Sequence, residues 1–243
     1  MEQFLTTEFL VAVGQIIMID ILLGGDNAVV IALACRKLPP RQRTLGILWG
    51  TAGAIVLRVV LIFFALTLLA IPFLKLVGAA LLLWIGIKLM QPEDDAAHSG
   101  LPASDRLLAA IKTVIVADFV MSLDNVIAIA GAAEGAGGDH KMVLVVFGLL
   151  VSIPIIVWGS QLVIRLMERF PIVITFGAAL LGWIAADMAM GDPALQEWVG
   201  AAPAWLKHAA PPAGALLVVA AGRWFAHREA ARGGAASTSL GAP

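Results

Sequence analysis

Long apolar runs constrain this chain most, because each has the length of a bilayer crossing. A helix needs about 20 mostly apolar residues to span the hydrocarbon core, and its backbone polar groups must all be satisfied within the helix. Seven such runs occur, at about residues 8–34, 43–69, 72–90, 107–133, 141–165, 170–190 and 211–226. The sequence therefore predicts an all-α polytopic membrane protein with seven transmembrane helices.

The composition supports this class of protein. Of the 243 residues, 60% are hydrophobic and 14% are charged, and the mean hydropathy is +0.95. A soluble domain is about 45–50% apolar and about 25% charged, so the composition argues against a large soluble core. The single cysteine, Cys35, excludes an internal disulfide and a multi-cysteine metal cluster.

Basic residues between the runs predict the orientation, because cytoplasmic loops carry an excess of Lys and Arg. With the N-terminus outside, the cytoplasmic side receives Arg36, Lys37, Arg41, Arg43, Lys88, Arg106, Lys112, Arg165, Arg169, Arg223, Arg228 and Arg232. The outer side receives Lys75, Lys141 and Lys207. We therefore expect a multi-pass protein of the bacterial cytoplasmic (inner) membrane, with its N-terminus outside and its C-terminus in the cytoplasm.

An internal repeat relates the first three runs to the next three. The segment "DILLGGDNAVVI" at 20–31 matches "DFVMSLDNVIAI" at 118–129, and "GAALLLWI" at 78–85 matches "GAALLGWI" at 177–184, at offsets of 98 and 99 residues. Because each unit holds an odd number of helices, the two copies have opposite orientations in the bilayer. Inverted repeats of this kind are typical of secondary transporters, whose sites lie near the midplane between the repeats.

This repeat also predicts the organisation of the chain. We expect a first three-helix repeat at 1–91, a cytoplasmic loop at 92–106, a second, inverted repeat at 107–190, an outer loop at 191–210, a seventh helix at 211–228 and a disordered tail at 229–243. The tail is small and polar, which is typical of a segment that cannot form a packed core.

Ionisable residues inside the runs are candidates for function, because a charge at mid-bilayer costs at least a few kcal/mol. They are Asp20, Asp26, Arg58, Asp118, Asp124 and Asp187. Four of them form two Asp-x5-Asp-Asn motifs, and carboxylate and amide oxygens suit magnesium, calcium or manganese but suit zinc and copper(I) poorly. We therefore expect a metal site formed by Asp20, Asp26, Asn27, Asp118, Asp124 and Asn125.

Three more residues are accessory candidates. Arg58 could balance the aspartates when no cation is bound, and Asp187 could be a gate or an outer ligand. Met121 could add a soft ligand that favours manganese, although packing is the simpler interpretation. Any single aspartate could instead cap a broken helix or pair with Arg58.

The spacing within each motif predicts a local break in the helix. On a regular helix, residues six apart are separated by about 9 Å along the axis and by about 120° around it. Gly24 and Gly25 lie between Asp20 and Asp26, where a helix opens most easily, and Ser122 takes the place of the first glycine in the second copy. We therefore expect both helices to unwind or kink there and to expose carbonyl groups to a polar cavity.

At "DILLGGDNAVVIALA", "DFVMSLDNVIAIAGA" and the two "GAALL-WI" blocks, the chain resembles the TerC family of integral membrane proteins, and within it the YjbE-type branch. The likeness covers about residues 8–226. The resemblance implies a multi-pass metal transporter, with manganese(II) export as its leading activity, and it places the metal ligands at the aspartates and asparagines of both motifs. Some relatives resemble helpers of membrane-protein or exoprotein maturation.

From the residues and the resemblance together, we expect a secondary exporter of a divalent cation, Mn(II) first, with no required cofactor and no enzymatic activity. No Walker motif is present to use ATP directly. The alternative is a membrane scaffold or maturation factor with a structural metal site, and an intramembrane aspartyl enzyme is a distant third. The expected partners are the metal ion and the lipid bilayer, with no nucleic acid; a homo-oligomer stays open.

Overall fold

The computed structural model describes residues 7–69, 71–91, 103–135, 141–201 and 203–239, and every regular element in these ranges is a helix. The main helices are α1 (Thr7–Cys35), α2 (Pro40–Leu69), α3 (Leu74–Met90), α4 (Ala103–Gly135), α5 (Lys141–Arg169), α6 (Ile172–Met190) and α8 (Ala204–Ser239). A 3-10 turn at Pro193–Leu195 and the short helix α7 (Gln196–Ala201) connect α6 to α8.

The predicted class, an all-helical membrane protein, is confirmed. Each apolar run falls on one helix, α1 to α6 or α8. Among the described residues, four segments are long and apolar enough to cross a membrane, namely Pro40–Phe64, Val146–Arg169, Ile172–Met190 and Trp205–Arg228. The number of crossings, seven, stays a prediction.

The helices of the two halves of the chain are interleaved. The most extensive packing pairs α2 with α4, α6 with α8, α1 with α5, α3 with α6, and α1 with α4. Between them lies the apolar core, in which Leu33, Leu82 and Leu181 are fully buried. Each helix from α1 to α5 therefore packs mainly against helices of the other half of the chain, whereas α6 packs mainly against α8.

Large apolar side chains cover the outside of this bundle. Trp49, Phe63, Trp158, Phe176 and Leu216 are all more than half exposed. Contiguous exposed apolar surface is rare on soluble monomers, but it is the surface that a hydrocarbon environment requires. The distribution of side chains thus agrees with the membrane class.

Two glycines set the packing of α8 against α6. A Cβ atom built on Gly182 would lie 2.4 Å from the carbonyl oxygen of Gly214, and one built on Gly214 would lie 2.3 Å from the carbonyl oxygen of Gly182. The two backbones therefore approach so closely that no side chain fits between them. Small residues allow this approach in membrane helices, where van der Waals packing drives association.

The prediction that both helices unwind at the Asp-Asn motifs is wrong. Helix α1 runs without interruption from Thr7 to Cys35, and α4 runs from Ala103 to Gly135. The intrahelical hydrogen bonds at the motifs are retained, since a glycine only lowers helix propensity by about 1 kcal/mol and does not by itself end a helix. Ser122, which takes the place of the first glycine in the second motif, makes side-chain hydrogen bonds with Arg58 and Asp118.

The C-terminal region also differs from the prediction. Helix α8 begins at Ala204, within the predicted outer loop, and contains Pro211 and Pro212. It continues to Ser239 through part of the predicted disordered tail. Residues 240–243, and residues 92–102 of the predicted cytoplasmic loop, lie outside the described ranges.

Candidate metal site

A buried ion pair joins α2 to α4 inside the bundle. Arg58 Nη2 lies 2.6 Å from Asp118 Oδ1, and the two residues are only 3% and 6% exposed. Arg58 Nε donates to Ser122 Oγ at 3.0 Å, and that hydroxyl donates to Asp118 Oδ2 at 3.1 Å. Asp118 and Ser122 can share one guanidinium because residues four apart lie on the same helix face.

This network confirms one prediction, since pairing with Arg58 was among the interpretations of a buried aspartate. Taking an unpaired charge out of water costs several kcal/mol, and a close counter-ion with further hydrogen bonds offsets much of that cost. Arg58 thus neutralises the charge of Asp118 inside the bundle. The hydrogen bonds of Ser122 with Arg58 and Asp118 were not predicted, although its position four residues after Asp118 places both side chains on one helix face.

On α1, Asp26 and Asn27 lie in electrostatic range of this pair. Asp26 is half-buried, its Oδ1 accepts the backbone N–H of Asn27 at 2.9 Å, and it interacts with the charges of Arg58 and Asp118. Asn27 is 3% exposed, and neither polar atom of its amide group has a hydrogen-bond partner among the residues that the structure describes. An unsatisfied buried polar group costs about 1–3 kcal/mol, so this amide is available for a ligand.

Of the accessory candidates, Met121 lies at 4% exposure in the main apolar cluster, which also contains Val114 and Val120. This is the environment of a packing side chain, as the simpler interpretation expected. Asp187 is exposed on α6. Neither residue therefore joins the Arg58–Asp118 network.

Three predicted ligands cannot be placed. Positions 20, 124 and 125 belong to α1 and α4, but the side chains of Asp20, Asp124 and Asn125 lie outside the described part of the structure. Among the side chains that are described, no three His, Cys, Asp or Glu residues are grouped closely enough to hold a metal. The six-residue metal site as a whole therefore stays a prediction.

Asp192, which the sequence analysis did not select, ties the end of α6 to the start of α3. Its buried carboxylate accepts backbone N–H groups from Phe73, Leu76 and Ala194 at 3.0, 3.1 and 2.7 Å. Burial alone would raise the pKa of Asp192, but these backbone hydrogen bonds outweigh it and lower the pKa below its ordinary value. The Asp-Pro sequence at 192–193, typical of a helix N-cap followed by proline, was the available signal.

The helical bundle, its apolar exterior and its internal ion pair define a polytopic membrane protein with charged groups inside the helix packing. The sequence matches the profile described as integral membrane protein TerC family over residues 5–230. This chain belongs to the TerC family, and the resemblance inferred from the motifs is thereby confirmed.

Three relatives illustrate the family. Over 188 residues the chain is 43% identical to "Uncharacterized membrane protein YjbE" of Bacillus subtilis (strain 168), covering 77% of this chain and 83% of the relative. It is 25% identical over 187 residues to "Uncharacterized membrane protein YceF" of the same organism, with coverages of 73% and 70%. It is also 25% identical over 176 residues to "UPF0053 inner membrane protein YgdQ" of Escherichia coli (strain K12), with coverages of 66% and 72%.

These names describe membrane proteins, one of them of the inner membrane, and they state no enzymatic activity. No solved structure matches the chain.

Proposed function

We propose that this protein is a secondary transporter that exports a divalent metal cation, Mn(II) first, from the cytoplasm. The observation that carries the proposal is the Arg58–Asp118–Ser122 network together with the nearby amide of Asn27, which has no hydrogen-bond partner among the described residues. Buried polar groups of this kind are expensive inside a membrane protein, and they mark ion pathways and their counter-ions. Oxygen donors dominate the group, and such donors suit Mn(II), Mg(II) or Ca(II).

The transport architecture we propose is a seven-span bundle with two inverted three-helix repeats and the N-terminus outside. The helix packing supports it. Exchanging the halves turns the α1–α5 contact into the α4–α2 contact, while α1–α4 and α3–α6 each pair equivalent helices. A two-fold relation between the halves produces this pattern, and rocking of one repeat against the other would alternate access.

The repeat also suggests how the ligands are divided. Asp26 corresponds to Asp124 and Asp118 to Asp20, at the offset of 98 residues. Because α1 and α4 are continuous, residues six apart on either helix do not aim at one point. We therefore propose two half-sites, one of Asp26 and Asn27 with Asp118, and an equivalent one of Asp124 and Asn125 with Asp20.

In this mechanism the cation displaces Arg58 from Asp118, so that the guanidinium neutralises the first half-site whenever the metal has left. The carboxylate and amide oxygens replace part of the water shell of the ion. Asp187 and Met121 are not needed for this step. The counter-ion in this mechanism is the proton, because clustered carboxylates gain proton affinity when the metal leaves.

Metal flux in proteoliposomes tests the proposal. We expect reconstituted wild-type protein to carry Mn(II), and Asp26→Asn to slow the flux at least about tenfold, because it removes a ligand charge while keeping an acceptor for the Asn27 N–H. The matched control is Asp105→Asn, an exposed aspartate near the start of α4. Flux by Asp26→Asn at the wild-type rate would refute the site.

The same experiment distinguishes a transporter from the alternative, a membrane scaffold or maturation factor. A membrane scaffold or maturation factor would carry no Mn(II), Mg(II) or Ca(II) even as wild type, although a bound metal could still raise its Tm. The ratio of the three fluxes then gives the selectivity.

A further inference from the structure

A buried hydroxyl on α2 lies outside the Arg58–Asp118–Ser122 network. Thr51 is 1% exposed, and its Oγ1 atom has no hydrogen-bond partner among the residues that the structure describes. Elsewhere in the helices, the hydroxyls of Thr113, Ser152 and Ser160 donate to the carbonyl oxygen four residues earlier, at 2.9, 3.2 and 2.8 Å. Thr51 lacks this common bond. An unsatisfied buried hydroxyl costs free energy, so the position suits a ligand better than packing.

Thr51 lies on the same face of α2 as Arg58. Two helical turns separate them, which is about 10 Å along the axis and about 20° around it. The stripe that joins them is buried throughout and consists of Ile47, Thr51, Ala54, Arg58 and Leu61. It lies where α2 packs against its neighbours inside the bundle. Within this stripe, Thr51 and Arg58 are the two residues with polar side chains.

Contacts between α1 and α2 give the depth of Thr51 relative to Asn27. A Cβ atom built on Gly46 of α2 would lie 3.1 Å from Cys35 Sγ of α1, so these two positions are at one level. From there the two antiparallel helices extend in the same direction, by about 12 Å over the eight residues to Asn27 and by about 7.5 Å over the five residues to Thr51. Thr51 is therefore about one turn closer than Asn27 to the α1–α2 connection.

Contacts between α2 and α4 give the same depth relative to Asp118. A Cβ atom built on Gly50 would lie 3.0 Å from Val114 of α4. Asp118 lies four residues after Val114, about 6 Å further along the bundle, whereas Thr51 lies one residue after Gly50, about 1.5 Å further. Thr51 is thus also about one turn closer than Asp118 to the α1–α2 connection, which is the cytoplasmic end in the proposed orientation.

We propose that the Thr51 hydroxyl is an entry ligand, which holds the divalent cation through a metal-bound water before the ion reaches Asp118 and Asn27. This inference rests on the proposed transport and adds the step that precedes the displacement of Arg58. Hard divalent cations such as Mg(II) give up their water reluctantly and keep several water ligands. Such a water donates to Thr51 Oγ1. The amide of Asn27, about one turn deeper, is the next acceptor.

The concentration dependence of Mn(II) flux in proteoliposomes tests the entry ligand, with Mn(II) offered at the face that carries the α1–α2 connection. Thr51→Val keeps the shape of the side chain and removes the hydroxyl. We expect the half-saturating Mn(II) concentration to rise about fivefold, the effect of losing one neutral hydrogen bond, while the maximal flux stays within about twofold. Thr51→Ser, which restores the hydroxyl, should return the half-saturating concentration to the wild-type value.

Ser160→Ala is the matched control. Ser160 is fully buried and its hydroxyl is satisfied within α5. It also lies close to the depth of Asn27, because a Cβ atom built on Gly159 would lie 3.7 Å from the Cβ atom of Ala28. Its half-saturating concentration should equal that of the wild type.

Thermal unfolding of the same variants separates an entry ligand from a structural residue. Thr51→Val should unfold at the wild-type Tm or above it, because it removes an unsatisfied buried group. A lower Tm would show that the hydroxyl has a structural partner and would contradict the proposal. If the wild type carries Mn(II) and Thr51→Val has an unchanged half-saturating concentration, the entry ligand alone is wrong. A wild type that carries no divalent metal overturns the proposed transport and the entry ligand together.

Discussion

Arg58, in the first half of the chain, forms an ion pair with Asp118 of the second half. At the offset of 98 residues, the position equivalent to Arg58 is Ile156, a buried apolar residue. A second difference lies in the repeated block, where Leu83 of α3 corresponds to Gly182 of α6. A third lies at the starts of α3 and α6. The first receives the carboxylate of Asp192, and the second has no side-chain cap.

The two halves therefore share a common helical framework, and each of these residues that differs between them has a structural role in one half only. Arg58 neutralises a buried carboxylate, Gly182 admits α8, and Asp192 joins the two halves. A variant that makes the halves alike should therefore remove the corresponding function and leave the framework intact.

The largest effect is expected for Arg58→Ile, which gives the first half the residue of the second. It leaves Asp118 buried with Ser122 as its remaining described partner, and removing one member of a buried pair costs about 3–5 kcal/mol. Thermal unfolding in detergent would show a lowered Tm. Added Mn(II) should recover part of the loss if the cation can take the place of the guanidinium.

The control is the double variant Arg58→Ile with Asp118→Asn, which removes both charges and should regain stability relative to the single variant. A single variant as stable as the wild type without metal would mean that Asp118 is compensated by another group.

The second effect concerns the close approach of α6 and α8. Gly182→Ala places a methyl group 2.4 Å from a carbonyl oxygen of the neighbouring backbone, so the helices must separate. Overpacking of this kind costs about 1–3 kcal/mol, and we expect a lower Tm. Gly25→Ala is the control, because a Cβ atom there meets nothing within 4 Å. Equal Tm values for the two variants would contradict the packing that we describe.

The helices themselves could be predicted from the sequence, because apolar length decides them, and so could the pairing of a buried aspartate with Arg58. The predicted unwinding at Gly24–Gly25 was wrong. We predicted it because we assumed that Asp20 and Asp26 bind one ion together, and the local sequence alone does not require a break. The Gly182–Gly214 contact could not be predicted, because it depends on where α8 docks, and no single stretch of sequence shows this.

The smallest effect is expected at Asp192 and depends on pH. The pKa of Asp192 is lowered in the folded protein, so folding favours the ionised form. Its contribution is complete above the ordinary aspartate pKa of about 3.9 and is lost as the pH falls towards the lowered value. Asp192→Asn, which keeps one acceptor oxygen, should therefore destabilise the fold at neutral pH by about 1 kcal/mol, the difference between a charge-assisted and a neutral hydrogen bond, and so lower the Tm.

The gap in Tm between wild type and Asp192→Asn should then narrow as the pH is lowered from about 7 to below about 4, since the wild-type carboxylate becomes protonated. Asp105→Asn, at an exposed position, controls for the general effect of acid on the fold. A gap that stays constant over this range would show that shape and not charge holds the start of α3. In that case the two halves would differ at this junction only in packing.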